Sequence, residues 1–455
     1  MEYREQVAEL VAKARAAQAA YESFTQEQVD AVVKAIAKVV YDNAEELARM
    51  AVDETRLGVY ENKVAKNKGK ASIIWWSLKG KKSVGVISRN DETGIVEVAR
   101  PVGVVGAVTP CTNPIVTPMC NAMFALKGRN AIILAPHPRA LKCNRYLVDL
   151  FNETIRPLGA PENLIQTIDE ASNDLSGEIM RQSDVVVATG GMGMVKAAYG
   201  SGKPAFGVGV GNVQCIIDRG VDLDEATDKV IAGRIFDNGI ICSGEQTIIA
   251  HKDGYEEILE LLAKKNCLVV RDPKERDALR EAVFPDGVMN KYLVGVPAKK
   301  VADAAGLSAP DDVQAIFVEA ETYGAGDLLS KEKMCPVVST YRYDAIEQAV
   351  EIAQANLNVD GRGHSVSLHT NSPEVAEYVA NTITVSRVLI NQICTSMNGG
   401  SFYNGLTPTT TLGCGSWGNN SISENLSFRH LLNITRIAYY KKDNYVPTPE
   451  ELWGD

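Results

Sequence analysis

The run Val102-Gly-Val-Val-Gly-Ala-Val108 decides the fold: it carries no charge and reads as a buried strand. Just before it, Ile95-Val-Glu-Val-Ala99 reads as another strand. A regular alternation follows, with a helix near 115–127, a strand at 131–135, a helix at 139–156 and a strand near 163–167. A helix near 173–182, the strand Asp184-Val-Val-Val-Ala188 and a helix near 192–199 continue it. Strands alternating with helices imply a parallel sheet covered on both faces. Upstream, the first ninety residues read as helices. Thr25 and Gln28 stand at capping-box spacing, and Val29, Val32, Val33, Ile36 and Val40 recur as one buried stripe. Downstream, a second α/β region starts at about 230, with strand-like runs at 246–250, 314–318, 336–341, 365–369 and 385–391. The late run Leu431-Leu-Asn-Ile-Thr-Arg-Ile-Ala-Tyr-Tyr440 reads as a strand with no partner close in sequence, so pairing elsewhere, including on another subunit, is expected.

A chain of 455 residues exceeds one simple core and calls for two or three domains. Its 45% hydrophobic and 23% charged residues are those of an ordinary globular protein. The formal net charge of −10 argues against a nucleic-acid surface. Nine scattered cysteines without a C-x-x-C pair speak against a disulfide framework and against zinc, and fit a reducing cytoplasm. The charged start, Met1-Glu-Tyr-Arg-Glu-Gln6, does not read as a signal sequence. No apolar run reaches the roughly 18 residues that span a bilayer.

The chemistry centres on Asp237-Asn-Gly-Ile-Ile-Cys242-Ser-Gly-Glu-Gln246, which sets one cysteine among small and turn-forming residues. A thiolate is a strong nucleophile, but a free thiol titrates at about 8.5 and is little ionised at neutral pH. N–H groups at a helix N-terminus would lower that value, and Ser243 and Gly244 leave room for a carbonyl. The plain alternative is a buried small hydrophobe. Upstream, Gly207-Val-Gly-Val-Gly-Asn212 offers glycines and no carboxylate, so an acylated Cys242 would lack a nearby base for hydrolysis.

Other segments carry two readings each. In Thr109-Pro-Cys-Thr-Asn113-Pro114, Asn113 is an oxyanion donor or the cap of the next helix, whose first turn would suit Pro114. Thr189-Gly-Gly-Met-Gly-Met-Val-Lys196 is a pyrophosphate-binding turn lacking the third glycine of G-x-G-x-x-G, or a plain tight turn. Ala135-Pro-His137-Pro-Arg139 brings His137 and Arg139 to ribose or phosphate, or is a proline-rich strand exit. Glu332, in Lys331-Glu332-Lys-Met-Cys-Pro336, accepts from a ribose or is a surface residue. Leu412-Gly-Cys-Gly-Ser-Trp-Gly-Asn-Asn420 packs backbone against a ligand or is a long loop. The five histidines show neither metal spacing nor a Ser-His-Asp pattern.

In this order the segments resemble the CoA-acylating aldehyde dehydrogenases over nearly the whole chain. The specific motifs are Thr112-Asn-Pro114, Arg129 to Arg139, Val187-Ala-Thr-Gly-Gly191, Asp237 to Gln246, Lys331 to Pro336 and Leu412 to Asn425. Val39 to Lys66 and the closing Val446-Pro-Thr-Pro-Glu-Glu-Leu-Trp453 look most like the succinate-semialdehyde branch. The resemblance implies an α/β fold with a Rossmann-type cofactor domain (1–229), a catalytic domain (230–412), a return to the cofactor domain (413–430) and an oligomerisation arm. The arm combines residues 94–101 with the tail at 431–455, and a homodimer or dimer of dimers is implied. It assigns Cys242 as nucleophile and Asn113 as oxyanion donor. It places Thr109, Pro110, His137, Arg139, Thr189, Gly190, Gly191, Val195, Gly209, Glu332 and Leu412 on an NADP or NAD cofactor, with Glu332 on the nicotinamide ribose.

Three departures separate this chain from the hydrolytic aldehyde dehydrogenases. Gly207 stands where they carry the glutamate of a Glu-Leu-Gly-Gly motif, His137 replaces a lysine, and Asn113 lies one residue nearer its proline. The expected reaction is therefore transfer of an acyl group from Cys242 to coenzyme A, with aldehyde and CoA thioester as the small-molecule partners. An acylating acetaldehyde or propionaldehyde dehydrogenase, a hydrolytic enzyme and a non-catalytic protein on the same fold are the competing readings. A succinate semialdehyde carboxylate needs donors, for which Ser243, Arg387 and Arg362 are candidates and the loop Ile393 to Asn398 a pocket wall. Arg139 is a candidate for a 2′-phosphate.

Overall fold

The computed structural model describes residues 2–454. It opens with four helices, α1 (Glu2–Tyr21), α2 (Gln26–Asp42), α3 (Ala44–Thr55) and α4 (Tyr60–Leu78). Thr25 Oγ accepts from Gln28 N at 3.3 Å while Gln28 Oε1 accepts from Thr25 N at 2.9 Å, the reciprocal cap predicted from the spacing. The valine and isoleucine stripe of α2 is fully buried. The helical run stops before residue ninety. Gly85–Asn90 forms β1, a largely exposed strand whose polar sequence carries no alternation to reveal it.

Strand β2 (Ile95–Pro101) leads to β3 (Val104–Thr109), buried along its whole length. Then come α5 (Val116–Lys127), β4 (Ala131–Pro136), α6 (Leu141–Ile155), β5 (Ile165–Thr167), α7 (Asn173–Gln182), β6 (Val185–Thr189), α8 (Met192–Tyr199) and β7 (Ala205–Val208). Strands β3 to β7 make one parallel sheet in the order β5-β4-β3-β6-β7. The chain leaves β3 in one direction and returns to its other side, so the strand order reverses between β3 and β6. A crevice opens beyond the carboxyl ends of the strands at such a switch point, and Thr109 and Thr189 end the two strands that flank it.

The second sheet begins earlier than expected. Strand β8 (Val213–Ile217) and the helix α9 (Leu223–Ile235) precede β9 (Glu245–His251), β10 (Leu268–Val270), β11 (Ile316–Glu319), β12 (Val337–Tyr343), β13 (Val366–His369) and β14 (Val388–Ile390). These strands pair in parallel as β10-β11-β12-β9-β8-β13-β14. The division between the sheets therefore falls between Val208 and Val213 rather than at 229. Near the end, Leu426, Phe428, Leu431 and Leu432 pack into the core of the first sheet. Strand β15 (Leu432–Ala438) then pairs antiparallel with β2, from Leu432 opposite Pro101 to Ala438 opposite Ile95, in the three-stranded sheet β1-β2-β15.

No described helix is long and apolar enough to cross a membrane. All nine cysteines are free. Among the described residues no group of three or more His, Cys, Asp or Glu side chains could hold a metal ion.

Candidate active site

Cys242 lies in the turn that enters β9, and Glu332 in the segment that enters the neighbouring strand β12. Both strands start facing the crevice of the first sheet. Two cavities meet there, of about 540 Å³ and about 320 Å³, and Asn113, Cys242 and Thr410 line both. The sulfur thus stands in a wall between two chambers.

Thr109, Pro110, His137, Thr189, Gly190, Gly191, Gly209 and Glu332 line the larger chamber. A Cβ added at Gly191 would meet nothing within 4 Å, so the turn presents bare backbone to open space. Helix α8 starts directly after that turn and aims its free N–H groups the same way, which suits a pyrophosphate. The half-buried Glu332 accepts from Gly211 N at 3.1 Å. Burial pushes its carboxyl up to about 7. These residues fit a nicotinamide dinucleotide. Three expected members do not join them. Val195 is buried on α8 against Gly207, Arg139 spends its guanidinium on the Thr55 carbonyl, and Leu412 lines the smaller chamber instead.

Asn113 is not the helix cap, because α5 begins only at Val116 with Ile115 in the cap position. Its Oδ1 is buried without a partner, and among the described residues its Nδ2 makes no hydrogen bond, which leaves the amide free for a ligand. Gly211 packs on the nucleophile turn so closely that an added Cβ would lie 1.9 Å from the Cys242 carbonyl oxygen, so no larger residue fits there.

The smaller chamber lies on the other side of Cys242. It is lined by Ser243, by Thr395, Ser396 and Met397, and by Lys66 and Lys70 one turn apart on α4. Ser243 Oγ donates to the Thr395 carbonyl at 3.0 Å. Lys66 Nζ pairs with Asp237 at 2.7 Å, and Asp237 also takes Lys63 at 2.9 Å. Among the described residues Lys70 Nζ donates only to carbonyls, Gly399 O at 3.0 Å and Thr409 O at 3.5 Å. Burial pushes Lys70 down to about 8. Neither arginine proposed from the sequence reaches this chamber. Arg387 is buried with its three nitrogens on Ser365, Asn425 and the His364 carbonyl, and Arg362 is exposed.

The family sequence model of the aldehyde dehydrogenases matches residues 2–411. The chain belongs to the aldehyde dehydrogenase family. Among relatives of this aldehyde dehydrogenase, the succinate-semialdehyde dehydrogenase (acetylating) of Clostridium kluyveri is 49% identical over 98% of this chain and 99% of its own. An acetylating aldehyde dehydrogenase from Geobacillus thermoglucosidasius superposes with a TM-score of 0.94 at 34% identity, covering 98% of this chain and 99% of that one. A propionaldehyde dehydrogenase from Rhodopseudomonas palustris, solved with bound CoA and an acylated cysteine, gives a TM-score of 0.85 at 26% identity, covering 95% and 97%.

The electrostatics of the aldehyde dehydrogenase sulfur differ from those expected. Cys242 follows a 3₁₀ turn (Phe236–Gly239) and precedes a strand, so no helix of its own segment starts at the sulfur. Burial pushes its thiol up to about 12, Glu332 and Cys414 add to the rise, and Arg387 opposes it. The role left to Arg387 is that of a nearby cation favouring the thiolate.

Proposed function

We propose that this aldehyde dehydrogenase is CoA-acylating and interconverts succinate semialdehyde with succinyl-CoA, using NADP or NAD. The observation that carries the reading is the position of Cys242 in a wall shared by two chambers, with no carboxylate among the described lining of the smaller chamber, the acyl side. Cys242 releases its thiol proton to solvent and the resulting thiolate attacks the aldehyde carbon. The developing oxyanion takes hydrogen bonds from Asn113 Nδ2 and the Cys242 backbone N–H. A bound nicotinamide supplies the hydride acceptor. The acyl group left on sulfur is a thioester, and the CoA thiol exchanges with it at little change in free energy, so the reaction runs both ways.

Lys66, Lys70 and Ser243 support the choice of substrate. Asp237 is shared by two lysines, and Lys70 has no carboxylate partner. The chamber therefore holds cationic charge in excess, and the distal carboxylate of a short semialdehyde balances it. The kluyveri relative is named for that aldehyde.

Glu332 favours one competing reading, since it is the single acid lining the cofactor side and a water held by it would hydrolyse the thioester. Omitting CoA decides between the two. With aldehyde and oxidised cofactor alone, one burst of about one reduced cofactor per site followed by arrest is expected. Sustained turnover at full rate without CoA overturns the proposal.

A further inference from the structure

We infer that Glu245 is a neutral acid at the working pH and that its proton holds the Cys394–Met397 segment of the acyl-chamber wall against the nucleophile turn. The inference rests on the reading above for what the chamber binds, and the argument is one of proton counting. Glu245 is buried at the first position of β9, three residues after Cys242. Its Oε1 accepts from Cys394 N at 2.6 Å. Its Oε2 lies 2.9 Å from Thr395 Oγ. The same Thr395 hydroxyl lies 2.7 Å from the Gly233 carbonyl oxygen.

A threonine hydroxyl has one proton to give, and a carbonyl can only accept. With the Thr395 proton on Gly233 O, the contact between Oγ and Oε2 needs a proton of its own, and Glu245 alone can supply it. All polar atoms are then satisfied: Cys394 N–H to Oε1, the Glu245 O–H to Thr395 Oγ, and the Thr395 O–H to Gly233. An ionised Glu245 would forfeit one of these bonds in a buried site.

Two further observations agree. Gly233 stands inside α9, where glycine costs about 1 kcal/mol relative to alanine. A Cβ there would lie 2.0 Å from Glu245 Oε2, so the helix gives up its side chain to make room for the carboxyl. The groups facing Glu245 are Arg234 from α9, Cys215 from β8 and Cys394. Both thiols are held protonated by burial, and Arg234 makes no ion pair with it among the described residues. Burial pushes the Glu245 carboxyl up to about 7.

The consequence lies in substrate fit rather than bond-making. Ser243 Oγ and Glu245 both grip residue 395, one at its carbonyl and one at its hydroxyl, and residues 395–397 line the acyl chamber. Loss of the Glu245 proton loosens that wall. Glu245 is therefore a positioning residue.

The test uses the full-length enzyme with CoA and saturating cofactor, following KM and kcat for succinate semialdehyde from pH 6 to 9. In Glu245→Gln the amide donates to Thr395 and accepts from Cys394 at every pH. Its KM is expected to match wild type at pH 6 and to rise towards pH 9 only with the Lys70 titration, while the wild-type KM climbs beyond it by up to about a further tenfold per pH unit above 7. Glu332, Lys333 and Lys70 titrate in both proteins and cancel in the comparison. Glu245→Ala should show the raised KM already at pH 6. Because the alanine variant can fail to fold, a second readout is infrared: the wild type minus Glu245→Gln difference at pH 6 should contain the carbonyl stretch of an un-ionised carboxyl. Absence of that band, or a Glu245→Gln pH profile that follows wild type, overturns the inference. Failure of the proposed function would instead appear as CoA-independent turnover of the wild type.

Discussion

At the residue scale, Cys242 is the sharpest case. Small neighbours and a turn made it readable, whereas its ionisation was not, because that depends on which groups fold around it. Burial and Glu332 keep the thiol protonated up to about 12 in the unliganded enzyme. Modification of Cys242 by iodoacetamide should accordingly accelerate by about tenfold per pH unit from 7 through 9 without a plateau. A plateau below pH 9 would mean that the sulfur is already a thiolate. Lys70 was not read from the sequence at all, since a lysine on a helix is ordinarily solvated. A signal was present: Lys63, Asn67, Ala71, Ile74 and Leu78 make one buried face of α4, and Lys70, three residues after Asn67 and four before Ile74, borders it, a place where a lysine points to an internal partner. Replacing Lys70 by Met should raise KM for succinate semialdehyde by about ten- to a hundredfold, the ~1.5–3 kcal/mol of a charge-assisted hydrogen bond. The KM for propionaldehyde should move less than about threefold. Lys70 is cationic below its value of about 8, so its hold on a carboxylate weakens as pH rises through 8. A Lys70→Arg enzyme, permanently charged, should lose that dependence. Equal effects of the Met change on both aldehydes would remove Lys70 from substrate binding.

At the scale of elements, α4 is tied to the nucleophile turn by Asp237. Asp237, Asn238 and Gly239 all have positive φ, at 54°, 53° and 74°, an uncommon run for two non-glycine residues. The turn is held there by Asp237, which takes Lys63, Lys66 and the Val59 N–H, and by Asn62 Oδ1 accepting from Asp237 N. Burial raises the Asp237 carboxyl, but Lys66 and Lys63 outweigh it and hold the value below 3.8. Its stabilisation is therefore present above about pH 4 and is lost as pH falls further. Asp237→Asn leaves two buried lysines without a carboxylate and should cost about 3–5 kcal/mol in urea unfolding at pH 7. A loss under about 1 kcal/mol would show that the clamp does not hold the turn. Elements defined by local grammar were legible: the helices at 173–182 and 192–199 and the cap at Thr25 stand where the pattern put them. Strands β1, β7 and β10 escaped notice because they are short and partly exposed. Although β8 is fully buried, its run Val-Gln-Cys-Ile-Ile sits against a glycine-rich stretch that reads as loop. Its membership of the second sheet is a pairing with β9 and β13 that no local pattern encodes.

For the whole molecule, the distribution of thiols sets a limit that no single residue does. All nine cysteines have thiols raised above 9, with burial the leading cause in every case. A raised acid in the folded state gives stability that is present below the unfolded value, near 8.5, and is lost as pH climbs towards the folded one. Four lysines act in the opposite sense. Burial lowers Lys63, Lys70, Lys127 and Lys333, so between their folded values and about 10.4 the unfolded chain binds more protons there and stability rises with pH. Between about 7 and 8 the lysines are opposed by the first ionisation of the unfolded thiols and by Glu245 and Glu332, both raised to about 7, so stability should stay nearly flat in that window. Above about 9 the thiols outnumber them and the buried Tyr21, Tyr255, Tyr341 and Tyr343, raised by burial in the same sense, add to the thiols, so unfolding should release at least about five net protons, a loss on the order of 7 kcal/mol per pH unit or more. That slope exceeds half of an ordinary domain's whole stability, so the protein should unfold cooperatively within about one pH unit near 10. Circular dichroism along a titration from pH 7 to 11, with tris(2-carboxyethyl)phosphine present to keep the thiols reduced, measures the proton number from the steepness of the transition. A shallow transition releasing fewer than about two protons would show that the thiols ionise in the folded state, and the dry interior around Cys215 and Cys394 would have to be open to water.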